Sequence, residues 1–125
     1  MSFEILIHIG AIMVIFWGIA HLISTMGVIK NFGEISRDNR LIITMEWIME
    51  GLTMIFIGLL ITLITLLGGA SNPVSIYVYW ISIVMLFIMA IVSLLTGARV
   101  NFPPYRMCPI IFSVSAILIV IGILI

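Results

Sequence analysis

Four long apolar stretches, parted by three short polar connections, set the pattern of this chain. The stretches run over residues 3–29, 41–67, 74–96 and 108–125. Each meets the ~17–25 apolar residues that a helix needs to cross ~30 Å of hydrocarbon. The first two exceed that length, which predicts tilt or ends lying in the interface. Backbone polar groups in lipid must be satisfied within each span, and short connections make sequential helices antiparallel. The predicted fold is therefore all-α: an integral membrane four-helix bundle running up-down-up-down, one domain over residues 1–125 with no internal repeat. The last stretch reaches the C-terminus, so no tail domain is expected.

The first stretch does not read as a cleaved leader. A secretory signal opens with basic residues and has an apolar core of roughly 7–15 residues. Here Glu4 precedes a much longer run, and no Lys or Arg does. The connections differ in character. Lys30 to Arg40 (KNFGEISRDNR) is charged, with Ser36, Asp38 or Asn39 expected to cap the second helix. Gly68 to Pro73 (GGASNP) is a tight uncharged turn. Arg99 to Met107 (RVNFPPYRM) is basic, aromatic and stiffened by Pro103 and Pro104.

Composition narrows the class. Hydrophobic residues make up 64% and charged residues 8%, against roughly 25% charged in soluble domains. A soluble domain and a disordered chain are excluded. Formal net charge is zero, so there is no excess of cations to neutralise phosphates, and nucleic acid is not an expected partner. The single Cys108 forms no intramolecular disulfide, and no Cys/His run has zinc spacing. The nine methionines are expected to fill irregular packing space.

Charge position sets the expected orientation. Lys30, Arg37 and Arg40 lie in the first connection, Arg99 and Arg106 in the third, and no other Lys or Arg exists. The positive-inside rule then puts the first and third connections in the cytoplasm and both termini outside it. The protein is expected to be a multi-pass membrane protein, with Tyr77, Tyr79 and Trp80 as an outer interfacial belt. Lys30, Arg37, Arg40 and Arg106 are expected to contact anionic head groups.

Helical projection at about 100° per residue sorts the polar positions. In the first span Gly10, Val14, Trp17, Gly18, His21 and Thr25 share a face, with His8 nearly opposite. The second span carries Glu46, Glu50 and Thr53 on one stripe and Trp47, Gly51, Gly58, Thr62 and Thr65 on another. Two such stripes predict two buried faces and a central position. Ser75, Ser82, Met89, Ser93 and Thr96 align in the third. The fourth has no ionisable group within 108–125 other than its thiol, and is expected to face lipid most.

His21 and Glu50 both fall roughly 12–14 Å from the cytoplasmic end of their spans at 1.5 Å per residue. The predicted polar cluster is His21, Thr25, Glu46, Glu50 and Arg99. Ionisable groups inside a membrane are costly, and face a partner or a cavity. Three uses are open: a proton-sharing pair, a divalent-cation shell of His21, Glu46 and Glu50, or acid–base groups acting on a lipid-like substrate beside Trp17 and Trp47. A clamp holding two helices together is the structural alternative. At the level of the molecule these become a small polytopic protein with an inward-facing site for protons, a cation or a small ligand, an accessory subunit of a larger membrane complex, or an intramembrane enzyme. Cofactor and substrate are not specified. The lipid bilayer is the expected partner, with a homo-oligomer or a larger membrane complex also open.

Overall fold

The computed structural model describes residues 4–125; the predicted start of the first span at Phe3 lies outside them. Four helices follow in order: α1 (Glu4–Asn31), α2 (Arg37–Gly68), α3 (Pro73–Leu95) and α4 (Pro103–Leu124), with one 3₁₀ turn, Gly97–Arg99, before α4. All four are long and apolar enough to cross a membrane. They form a four-helix bundle with no strand among the described residues. The 28 residues of α1 and 32 of α2 correspond to about 42 and 48 Å of helix, more than the hydrocarbon core requires.

Helix ends follow local chemistry. Ser36 caps α2, its hydroxyl accepting from the Asn39 amide at 3.1 Å. Asn72 caps α3 by accepting from the Val74 amide at 2.9 Å, and Pro73 occupies the first turn. The glycine after α2, Gly69, takes φ 75°, a left-handed conformation that suits a residue without Cβ, and its amide donates to the Thr65 carbonyl at 2.9 Å. α4 begins five residues before the expected Cys108. Pro103 and Pro104 start a helix rather than stiffening a loop, because proline at the first helical positions forfeits no hydrogen bond. Pro109 lies inside α4 and cannot donate to the Tyr105 carbonyl.

The helices form a ring in which α1 packs on α2 and α4, and α3 packs on α4 and, less extensively, on α2; the backbones of diagonal helices stay apart, and α2 reaches α4 through the Trp47 and Tyr105 side chains. Buried positions repeat with heptad spacing: Ile7, Ala11, Val14, Gly18, His21, Thr25 and Val28 in α1, and Cys108, Phe112, Ser115, Ile119 and Gly122 in α4. This is the spacing of knobs-into-holes seams between antiparallel helices. Two expectations are corrected here. α2 is not central, and α4 is not the most outward-facing helix, since it buries one full seam against α1 and α3. Small Cys108, Ser115, Ala116 and Gly122 share that seam with the larger Phe112 and Ile119.

Small residues let α1 and α2 approach closely. A Cβ on Gly18 would sit 2.6 Å from the Gly51 carbonyl oxygen, and one on Gly58 would sit 2.6 Å from that of Ala11. The outer aromatic belt also needs correction. Tyr77 and Trp80 are exposed, but Tyr79 is fully buried, its hydroxyl 2.7 Å from Thr65 Oγ1. Four residues after buried Ser75 and three before buried Ser82, Tyr79 points inward, and Thr65 supplies the partner that a buried phenol needs. At the same end Glu4 Oε1 accepts from the Ala70 amide at 3.1 Å, tying the start of α1 to the α2–α3 turn.

Candidate functional site

The site lies at the end of the bundle that carries the charged connections. α1 presents Trp17 and His21, one turn apart; α2 presents Trp47 and Glu50; α4 presents Tyr105 and Cys108; α3 contributes Ser93. Spacings of three and four place each pair on one helical face.

His21 is buried, with 4% of its surface accessible. Its Nδ1 is 3.1 Å from the Trp17 carbonyl oxygen. A carbonyl only accepts, so Nδ1 carries the hydrogen and Nε2 is left for another partner. Nε2 faces Glu50 Oε1 at 3.9 Å, within ion-pair distance and longer than a direct hydrogen bond. Among the described residues this is the one acid–base side-chain pair at such a distance. The Glu50 side chain keeps 37% of its surface accessible, so one partner is enclosed and the other is open.

Aromatic rings hold the imidazole in place. Trp47 stacks on it with centroids 4.6 Å apart and planes at 19°, and Trp17 meets it edge-on at 5.8 Å. The Trp47 indole N–H donates to the His21 carbonyl at 2.7 Å, joining α2 to α1. The Trp17 indole N–H donates to Cys108 Sγ at 3.4 Å, joining α1 to α4. Tyr105 stands edge-on to Trp47 at 5.5 Å, and Phe102 lies 5.3 Å from Tyr105.

Two cavities share this wall. One, of about 260 Å³, is lined by His21 and Glu50 together with Ser93, Thr96 and Tyr105. The other, of about 590 Å³, lies on the α1–α4 side and is bordered by Trp17, His21, Trp47, Phe102 and Tyr105. Glu50 also borders an outer groove along α2 with Glu46 and Thr53.

No protein-family model, curated protein or solved structure matches the chain. The site is therefore read from its own chemistry.

The predicted cluster divides. His21 and Glu50 come together as their depths implied. Thr25 is buried but turns its hydroxyl back to the His21 and Leu22 carbonyls, at 3.0 and 2.9 Å, and takes no part in the pair. Glu46 is exposed on the outer groove, as is Thr53, so the carboxylate stripe of α2 is not a buried face. Arg99 is exposed on the 3₁₀ turn and does not line the His21–Glu50 cavity. The divalent-cation shell of His21, Glu46 and Glu50 is not assembled, and among the described residues no three His, Cys, Asp or Glu side chains come together to hold a metal ion. Gly51 packs against Gly18, and Glu50 beside it faces His21, whereas Glu46, one turn earlier, lies on the exposed side of α2. Lys30, Arg37, Arg40 and Arg106 are all exposed, with Arg106 Nη2 donating to Asn101 Oδ1 at 3.1 Å.

Sequence reasoning missed Tyr105 and the Trp17–Cys108 contact. The two ends of that contact are 91 residues apart, and only the ring order of helices brings them together.

Proposed function

We propose that the protein is a small multi-pass membrane protein in which the His21–Glu50 pair exchanges a proton with a small monovalent cation. The carrying observation is the enclosed imidazole, its Nδ1 committed to a carbonyl, facing a half-open carboxylate across 3.9 Å. With Nδ1 protonated, a bare Nε2 and a bare carboxylate would present lone pairs to each other. One proton makes the contact favourable, whether it sits on Nε2 or on the carboxyl. A cation taken up beside Glu50 offsets the same negative charge, so proton and cation compete for one place. In this reading the basic end faces the cytoplasm, with both termini on the other side.

Liposomes carrying the purified protein and an internal pH indicator test this. Adding sodium or ethylammonium chloride outside should drive proton release from wild-type vesicles. Glu50→Gln should lose at least tenfold of that rate while inserting to the same level. Equal rates in wild type and Glu50→Gln would overturn the reading. Loss of the folded protein in both Glu50→Gln and His21→Gln would show the pair to be a helix clamp instead.

A further inference from the structure

The larger cavity, beside α1 and α4, has a lining of unusual chemical uniformity. Its border includes four aromatic rings (Trp17, Trp47, Phe102 and Tyr105) and no acidic or basic side chain other than His21. The hydrogen-bonding atoms of that wall are engaged elsewhere. Both indole N–H groups are spent, one on Cys108 Sγ and one on the His21 carbonyl. His21 directs Nδ1 to the Trp17 carbonyl and Nε2 toward Glu50. The Ser24 hydroxyl donates to the His21 carbonyl at 3.2 Å. What the cavity offers a guest is ring surface and aliphatic carbon, with the Asn31 amide and the Tyr105 hydroxyl as its polar groups on offer.

We propose that this cavity binds an uncharged, flat ring compound. A charged guest would lose its hydration with no counter-charge in the lining, since Glu50 borders the other cavity and not this one. A flat ring gains by stacking or edge contact with the aromatic ladder running Trp17–His21–Trp47–Tyr105–Phe102. The volume, about 590 Å³, falls within the range of small-molecule sites, roughly 300–1,000 Å³. α1 shapes the space by offering Ala20, Ser24 and Gly27, and a Cβ on Gly27 would meet nothing within 4 Å. The inference does not rest on the proton–cation reading of the His21–Glu50 pair.

Gly27 supplies the test, because it borders the cavity and a Cβ there would meet nothing within 4 Å. The protein carrying Trp80→Phe, so that only Trp17 and Trp47 report, is placed in lipid nanodiscs. It is titrated with 2-methyl-1,4-naphthoquinone as the neutral flat probe, with tetramethylammonium as the charged probe, and in discs made with bromine-labelled acyl chains. The quinone should quench the tryptophans saturably. Gly27→Phe should weaken that binding at least tenfold, with helix content and the proton release of the His21–Glu50 pair unchanged. Unsaturable quinone quenching, or equal affinity in Gly27→Phe, would overturn the proposal. So would tighter binding of tetramethylammonium, or bromine-labelled chains that quench both tryptophans and shut out the quinone, which would make the occupant a lipid tail.

Discussion

Tyr79 and Ser115 show what a single buried oxygen is worth in this bundle. The Tyr79 hydroxyl is paired with Thr65 Oγ1 at 2.7 Å, whereas Ser115 Oγ is buried with no hydrogen-bond partner. Tyr79→Phe should lower stability by about 1 kcal/mol, the usual net value of one such bond, and Tyr77→Phe, on an exposed residue, should be neutral. Ser115→Ala should be neutral or raise stability by up to ~1 kcal/mol, because it removes a hydroxyl that is desolvated and unrewarded. Thermal unfolding in mild detergent, read by circular dichroism, orders the three variants. A Tyr79→Phe protein as stable as wild type would mean that the phenol–threonine contact contributes nothing. The same scale explains the site: His21 and Glu50 were legible from their types and depths, since ionisable groups within an apolar run need a partner. The role of each ring nitrogen was not, because it depends on where the Trp17 carbonyl and Glu50 stand relative to the ring.

Between helices, the close approach of α1 and α2 is the feature most exposed to mutation. Gly58→Ala would bring a Cβ to 2.6 Å from the Ala11 carbonyl, and the two helices would have to part. The expected cost is about 1–3 kcal/mol, as for other overpacked interiors. Gly27→Ala, which meets nothing within 4 Å, should gain up to ~1 kcal/mol from helix propensity alone. The contrast between two glycine-to-alanine changes in helices, measured by unfolding, separates packing from propensity; equal shifts would contradict the seam. At the helix ends, Ser36→Ala should cost about 1 kcal/mol by orphaning the Asn39 amide. Ser36 was among the three caps the sequence offered, whereas Asn72 and Pro73 were read as part of the turn and not as the cap and first residue of α3. The early start of α4 at Pro103 was not read, because a Pro-Pro pair suits both a stiff loop and a helix's first turn.

For the whole molecule, the asymmetry of charge predicts its sidedness. All five basic residues lie at one end, and Glu4 with the uncharged α2–α3 turn lies at the other. With Cys108 replaced by alanine, a cysteine at Ser36 should react with a membrane-impermeant thiol reagent only after the cytoplasmic side is opened. A cysteine at Ser71 should react in intact cells. The reverse pattern would invert the orientation, and labelling of both from both sides would indicate mixed insertion. The number of helices, their approximate bounds and their sequential up-and-down order were determined by the sequence alone, because length and hydropathy suffice to mark four helices long and apolar enough to cross a membrane. Part of the inward face was legible as well, since Gly10, Val14, Gly18, His21 and Thr25 of α1 and Gly51, Gly58 and Thr65 of α2 are buried on the stripes their spacing marked; which of the two α2 stripes turns in, and that Tyr79 turns in with it, was decided only by the tertiary structure. In water the buried face announces itself as the apolar one; here the outward face is equally apolar, as exposed Phe16, Ile23 and Leu63 show. The choice therefore passed to the fit of small against large residues, Gly18 on Gly51 and Ala11 against Gly58. That fit turned Glu46 out, Tyr79 in, and closed the aromatic wall around His21.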